Sequence, residues 1–271
     1  MPLNELIAKQ DEWARNRWHG HVGRRAPSLD ENLIVPMSLE VRLQFTKGSG
    51  GELGRNEKPG KMYSVRSSSA LSYNIFAPWI GKDLEPLGRA LGVSLRDSTL
   101  CFERQFRHGL ASTPPNIDVA LDLDQSRPLG IECKFTEPYG PKKAHLPLDD
   151  KYFTNGASRW TDLGLPRCQE LASSIGRRTQ FNRLGAGQLL KHILGLAWET
   201  KASPRLLCVW FDSGCEEAKE HRDELNRFRR LIDTAIDFKV ETYQNVFTSL
   251  LRESEPVMGY HTYLRDRYFS T

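Results

Sequence analysis

The 271-residue sequence lacks the features of several specialised protein classes. No stretch approaches the roughly 18 apolar residues that a membrane-spanning helix needs, and residues 1–18 carry too many charges for a secretory signal. The five cysteines are odd in number and include no Cys-x-x-Cys pair, which argues against a disulfide framework or a zinc ribbon. We therefore expect a soluble, cytoplasmic protein with free thiols and no membrane partner.

The sequence also lacks internal repeats and a large excess of one charge. Apolar residues make up 39% and charged residues 27% of the chain, a composition that supports a sizeable core. The net charge of +4 is too small to identify an anionic partner, so the location of the basic residues matters more than their number.

Hydrophobic periodicity predicts a mixed α/β domain with elements in the order αβββαβ. Residues 1–61 show poor periodicity and a glycine-rich stretch, KGSGGELGRNEKPGK, and are predicted to form an N-terminal arm and a flexible loop outside the domain at 62–271. The first predicted helix covers 70–91, and Pro78 and Pro86 are expected to kink or divide it. It is followed by a strand within 98–109 and a hairpin of 117–123 and 129–135. The remaining predicted elements are a helix at about 182–198, a buried strand at 205–212 and a charged helix at 215–237.

One acid-x-Lys tripeptide differs from the other copies in this chain by its setting. Glu132 and Lys134 lie within the apolar strand GIECKF, and the preceding strand begins with Asp118. Strand alternation places Glu132 and Lys134 on one face, and hairpin pairing brings Asp118 near Glu132. The alternative is an exposed cross-strand charge pair without a catalytic role.

Two adjacent carboxylates repel each other, which favours a cation between them. Oxygen ligands suit Mg²⁺ or Mn²⁺, and the carbonyl of Cys133 could add a third oxygen. Such an ion can polarise a phosphoryl oxygen and acidify a bound water, while Lys134 orients that water or stabilises the transition state. The pattern therefore indicates metal-assisted phosphodiester hydrolysis.

The segments PNIDVALDL and GIECKFTE resemble the signature of the PD-(D/E)XK nuclease superfamily, with Asn116 and Ile117 standing between Pro115 and the aspartate. SSSALSYNIFAPW, LCFERQF, IECKFTEPY and HTYLRDRYF resemble its restriction-endonuclease-like branch, from about residue 60 to the end of the chain. The resemblance implies a core with a mixed central sheet flanked by helices. It also implies Asp118 and Glu132 as ligands of Mg²⁺ or Mn²⁺ and Lys134 as the catalytic lysine.

Further residues are candidates for roles beside this motif. Glu103 could supply another carboxylate, and the resemblance implies that Gln188 borders the site, with His192 where some relatives carry a tyrosine. We interpret His192 itself as a helix histidine with a satisfied hydrogen bond. Basic residues in the loop after the motif, before the following helix and on that helix are candidates for phosphate contacts; they are Lys142, Lys143, Arg177, Arg178, Arg183 and Lys191.

The function that these features favour is a Mg²⁺-dependent DNA endonuclease, and cleavage of both strands suggests a homodimer. Two alternatives stay open. One is a RecB-type or repair nuclease that acts on DNA ends or branched DNA, and the other is a catalytically silent DNA-binding module with the same fold.

Overall fold

The computed structural model describes residues 3–18, 24–48, 50–55, 58–95, 98–110, 112–122, 127–140, 147–153 and 158–269. Groups of helices and groups of strands follow one another along the chain. The helices are α1 (Leu3–Arg17), α2 (Leu39–Lys47), α3 (Ser68–Phe76), α4 (Glu85–Leu91), α5 (Pro166–Ser174), α6 (Ala186–Thr200), α7 (Glu216–Leu231), α8 (Tyr243–Leu250) and α9 (Tyr260–Leu264). The strands are β1 (Gly54–Arg55), β2 (Lys58–Pro59), β3 (Thr99–Gln105), β4 (Asn116–Asp122), β5 (Leu129–Lys134), β6 (Arg205–Trp210) and β7 (Asp237–Thr242).

The described residues form a mixed sheet in the order β3-β4-β5-β6-β7. Strands β3, β4 and β5 pair antiparallel, and β5, β6 and β7 pair parallel. The long connection between β5 and β6 contains α5 and α6, as a parallel crossover requires. The predicted α/β fold with a mixed central sheet flanked by helices is confirmed.

Both faces of the sheet are covered, because alternate residues of the central strands enter two different cores. Val119, Ile131 and Val209 pack into one core together with residues of α3, α4 and α8. Ala120 and Cys208 pack into the other core with residues of α5, α6 and α7. Polar side chains on these strands must therefore lie near the strand ends, or find hydrogen-bond or charge partners inside the core.

The N-terminal residues contribute to the core, although their periodicity predicts only an arm. Leu6 of α1 and Val41 and Phe45 of α2 are buried in the same core as the sheet. Their pattern is hard to detect because each helix buries only a narrow stripe; α1 buries Leu6, Gln10 and Ala14. The N-terminal segment is thus packed against the fold rather than detached from it.

The helix expected at 70–91 is divided at its prolines, as predicted: α3 ends at Phe76, Pro78 lies in a 3₁₀ turn, and Pro86 stands in the first turn of α4. Two other segments differ from the sequence-based expectation: helix α5 is not predicted, and α7 ends at Leu231 instead of 237. All five cysteines are free, as expected. Among the described residues, no helix is both long enough and apolar enough to cross a bilayer.

Helix α6 is held at both its start and its middle. The buried carboxylate of Glu224 on α7 accepts the backbone N–H groups of Asn182 (2.5 Å), Arg183 (2.8 Å) and Leu184 (2.8 Å), directly before α6. Farther along, a Cβ on Gly195 would lie 2.8 Å from the carbonyl oxygen of Phe106, so the helix backbone packs closely there. These two contacts fix where α6 lies against the sheet.

We expect Glu224→Ala to lower the free energy of unfolding by about 3 kcal/mol, since three backbone N–H groups lose a charged acceptor. Urea unfolding measures the change. Glu216→Ala is the matched control, because Glu216 lies on the same helix with its side chain 86% exposed; it should change stability by about 0.5 kcal/mol or less. Equal effects of the two substitutions would contradict a structural role for Glu224.

Candidate active site

Three acidic residues of neighbouring strands stand in one row across the sheet. The pairs on either side of Glu103 in the β3–β4 register place it opposite Asp118. The pairing of β4 with β5 ends at Val119 and Ile131, the residues directly next to Asp118 and Glu132. Glu103 has a positive φ of 51°, which is costly for a residue with a side chain. The ladder therefore departs from regular geometry where the carboxylates meet.

Glu132 is fully buried and bonded through both carboxylate oxygens. Lys134 Nζ donates to Oε1, and His192 Nε2 donates to Oε2 at 2.9 Å. Burial alone would raise the pKa of Glu132, but Lys134 and His192 outweigh it and lower the pKa to about 2. Glu132 is consequently a carboxylate at neutral pH, despite lying in the interior.

Asp118 lies against the backbone of the neighbouring strand. Its Oδ2 accepts the N–H of Cys133 at 2.7 Å. Burial, followed by the charge of Glu132, raises the pKa of Asp118 well above its ordinary value. The Cys133 side chain packs into the core, so the peptide of this residue, and not its thiol, adjoins Asp118. A positive charge near Asp118 would favour its ionised form.

Lys134 is the cation nearest to this row of carboxylates. Besides its bond to Glu132, its amine lies 3.3 Å from Oε1 of Gln188 on α6. Burial opposes its charge, but Glu132 and Asp118 outweigh burial and raise the pKa of Lys134. The structure thus brings Asp118, Glu132, Lys134 and Gln188 together.

Glu103 extends the row toward the sheet edge and is also buried. Its Oε2 accepts a hydrogen bond from Asn116 Nδ2 at 2.7 Å. Burial, then the nearby Glu52, raises the pKa of Glu103 to about 7. Glu52 in turn accepts hydrogen bonds from Ser69 (2.6 Å) and Lys61 (3.2 Å). Because Glu52 lies in the glycine-rich stretch that predicts a flexible loop, sequence reasoning does not identify it as part of the site.

Two carboxylates of the row, Glu103 and Asp118, line a cleft of about 660 Å³ together with Lys134 and Gln188, whereas the fully buried Glu132 lies outside its lining. The lining also includes basic and hydroxyl side chains of the N-terminal segment and of the start of α3. These are Arg25, Lys61, Ser64, Arg66, Ser67, Ser68 and Ser69. The N-terminal part of the chain therefore builds a wall of the cleft as well as part of the core.

Most of the predicted phosphate-contacting residues lie elsewhere. Lys142 and Lys143 fall outside the described residues. Arg177 and Arg178 line a separate depression beside α5, because the unpredicted α5 and the turn after it carry them away from the cleft. Lys191 faces the ring of Tyr152, 5.7 Å from its centre.

Arg183 has a structural environment that explains why it does not reach the cleft. Its guanidinium pairs with Glu220 at 3.0 Å and donates to the carbonyl of Gly140 at 2.5 Å. The side chain is only 9% exposed. Arg183 therefore joins the loop before α6 to α7 and to the turn after β5.

Glu137, which follows the motif strand, also acts within its turn. Its Oε2 accepts the backbone N–H of Phe135 at 2.8 Å, directly after β5, and the residue is exposed at the edge of the cleft. This bond stabilises the turn that follows Lys134.

The donor set fits a hard cation that keeps part of its hydration shell. Among the described residues, no group of three or more histidine, cysteine, aspartate or glutamate side chains is arranged to hold a metal ion. Asp118 and Glu132 provide two carboxylates, and Mg²⁺ commonly uses one or two carboxylates together with water and substrate phosphate. The residues present are therefore compatible with Mg²⁺ or Mn²⁺.

Comparison with known proteins gives one family. The family model described as restriction endonuclease associating with ARP matches residues 6–269. No curated protein and no solved structure matches the chain significantly. The resemblance to restriction-endonuclease-like proteins is confirmed at the level of this family, and the match includes most of the predicted N-terminal arm.

We expect Glu103→Gln to remove a pH-dependent penalty on folding. The pKa of Glu103 is about 7 in the folded protein, against an ordinary value of 4.5. Between these values the folded state retains a proton that the unfolded chain has released. The free energy of unfolding therefore falls by about 3 kcal/mol as pH rises through this window.

Urea unfolding in EDTA from pH 4 to 8 measures this effect. Wild type should lose stability relative to Glu103→Gln as pH rises, whereas Glu216→Gln on the exposed face of α7 should follow wild type. The prediction would be contradicted by a difference in unfolding free energy between wild type and Glu103→Gln that does not change with pH.

Proposed function

The chain belongs to the family described as restriction endonuclease associating with ARP, and on that premise we propose that it is a Mg²⁺-dependent DNA endonuclease of the PD-(D/E)XK type. The main observation behind the proposal is the contact between a buried glutamate, Glu132, and the amine of Lys134, with Asp118 of the neighbouring strand bonded to the N–H of Cys133. An isolated surface charge pair would not need a second, partly buried carboxylate on the neighbouring strand. The family match supports the general assignment as a restriction-endonuclease-like protein. The Mg²⁺ ion and the DNA substrate belong to the proposal.

In the proposed reaction, Asp118, Glu132 and the carbonyl of Cys133 would hold Mg²⁺ or Mn²⁺. When bound, the ion would supply Lewis-acid polarisation of the phosphate and a more acidic water. Lys134 contributes a positive charge for the negative charge that develops on the phosphoryl oxygens. Gln188 accepts from the amine of Lys134 and restricts its position.

We propose that the DNA backbone contacts the basic wall of the cleft rather than the arginines predicted from the sequence. Arg25 and Lys61 line the same cleft as Glu103 and Asp118, and the side chain of Lys61 is 68% exposed although it pairs with Glu52. Ser68 lies beside them at the first turn of α3, where backbone N–H groups can also bind phosphate. Arg177 and Arg178 line a different depression.

The assembly in which the chain acts is also part of the proposal. The family description names an association with ARP, and we propose ARP as a partner of this chain. Cleavage of both DNA strands needs two sites or two successive reactions, so a homodimer is the second proposed assembly.

We expect Lys134→Met and Asp118→Asn each to reduce cleavage of supercoiled plasmid by about 1,000-fold while the fold is retained. EDTA should abolish wild-type cleavage, and Mg²⁺ or Mn²⁺ should restore it. Lys219→Met is the matched control, because Lys219 belongs to another acid-x-Lys tripeptide and is 65% exposed on α7.

Gel assays on supercoiled, linear and forked DNA separate the alternatives. Wild-type cleavage that persists in EDTA would contradict the metal-dependent mechanism. DNA binding without cleavage in Mg²⁺ or Mn²⁺ would favour a silent module, and cleavage confined to ends or forks would favour a repair-type nuclease.

We expect the double variant Arg25→Gln/Lys61→Gln to weaken DNA binding and to reduce the salt dependence of the binding constant. Loss of two phosphate contacts should reduce the magnitude of the negative slope of log K against log salt concentration by about 2. Anisotropy titrations of DNA in the Lys134→Met background measure this slope. Arg177→Gln/Arg178→Gln is the control with the same charge change, and a larger effect of that variant would place the DNA elsewhere.

A further inference from the structure

We propose that His192 is a positioning residue that orients Glu132 for cation binding, an inference that rests on the proposed function. His192 is 1% exposed, and its Nε2 lies 2.9 Å from Oε2 of Glu132, which is 0% exposed. A carboxylate oxygen can only accept, so the ring must carry a proton on Nε2. The histidine therefore donates directly to a carboxylate of the proposed cation site.

The hydrogen bond to Glu132 explains why a polar histidine ring is buried at this position. The other ring nitrogen, Nδ1, is buried without a hydrogen-bond partner among the described residues. A buried polar ring is costly unless it is hydrogen-bonded, and a histidine with a purely structural role would gain from pairing both nitrogens. The observed arrangement uses His192 for one interaction, the bond to Glu132.

The two donors on Glu132 have different roles in the proposed reaction. Lys134 bonds to Oε1, and its side chain also lines the cleft, where it would meet the substrate phosphate. His192 is buried and bonds to Oε2. His192 can thus hold Oε2 while Oε1 stays with Lys134, the partner whose side chain reaches the cleft.

Helix α6 can act as a rigid support for this bond. Gln188 and His192 are one turn apart on the same face, and they contact Lys134 and Glu132 respectively. The carboxylate of Glu224 holds the chain before the helix, and the close approach of Gly195 to Phe106 holds its middle. A small displacement of the Glu132 carboxylate is consequently opposed by a helix that is itself held at two points.

Loss of this bond should weaken cation binding before any DNA is present. Hydrogen-bond partners that orient metal ligands typically change metal affinity by about 10–100-fold when removed. We therefore expect His192→Leu to bind Mn²⁺ about 10–100-fold more weakly than wild type. His192→Gln should stay within about threefold of wild type, because its amide N–H can reach the same oxygen. His192→Asn is one bond shorter and should resemble His192→Leu.

Mn²⁺ titrations followed by electron paramagnetic resonance, without DNA, measure these affinities on the full chain. His108→Leu is the matched control, because His108 is also 1% exposed but contacts the ring of Tyr152, away from the carboxylates. This variant should bind Mn²⁺ as wild type does. Thermal unfolding identifies any variant that fails to fold. If His192→Leu does not fold, the comparison of His192→Gln with His192→Asn tests the proposal in its place.

Plasmid cleavage on the same preparations separates the two proposals. If wild type binds Mn²⁺ and cleaves DNA but folded His192→Leu or His192→Asn binds Mn²⁺ equally tightly, the role of His192 is overturned and the proposed function stands. If wild type neither binds Mn²⁺ nor cleaves DNA, both proposals are overturned. Weak binding by His192→Asn with recovery in His192→Gln supports the positioning role.

Discussion

The constraint on which this structure depends is the burial of like charges at the end of a hairpin. Asp118 and Glu132 directly adjoin the Val119–Ile131 pair of β4 and β5, and burial opposes ionisation of both. Lys134 and His192 keep Glu132 ionised, whereas the pKa of Asp118 is raised. Removing one partner of such an arrangement leaves an uncompensated buried charge, so the surrounding elements must hold every partner in place.

The elements that meet this requirement come from distant parts of the chain. Helix α6 contributes Gln188 and His192 from one face, while Glu224 of α7 holds the loop that leads into α6. On the other side, Glu52 and Lys61 of the N-terminal segment stand beside the buried Glu103. The site is thus shared among the sheet, the crossover helix and the N-terminal segment, which agrees with a family match that spans residues 6–269.

Local patterns could predict the centre of the site but not its surroundings. Strand alternation places Glu132 and Lys134 on one face, and an antiparallel hairpin brings Asp118 opposite Glu132, so three residues follow from pairing rules alone. Arg183 shows the limit of such reasoning. Its position directly before the helix that carries Gln188 suggests a phosphate contact, but Glu220 and the carbonyl of Gly140 bind its guanidinium in the folded chain. Position in the sequence does not reveal which partner a long side chain contacts.

The order of elements, the mixed α/β class and the acidic hairpin with its lysine were determined by the sequence itself, because alternation and helical periodicity are local properties. Tertiary structure alone decided that Glu52 stands beside Glu103, that His192 donates to Glu132, and that Arg25 and Lys61 line the cleft. These contacts join residues that are tens of positions apart. They form only when the packing of α1, α2 and α6 against the sheet places them, and no short sequence pattern encodes that packing.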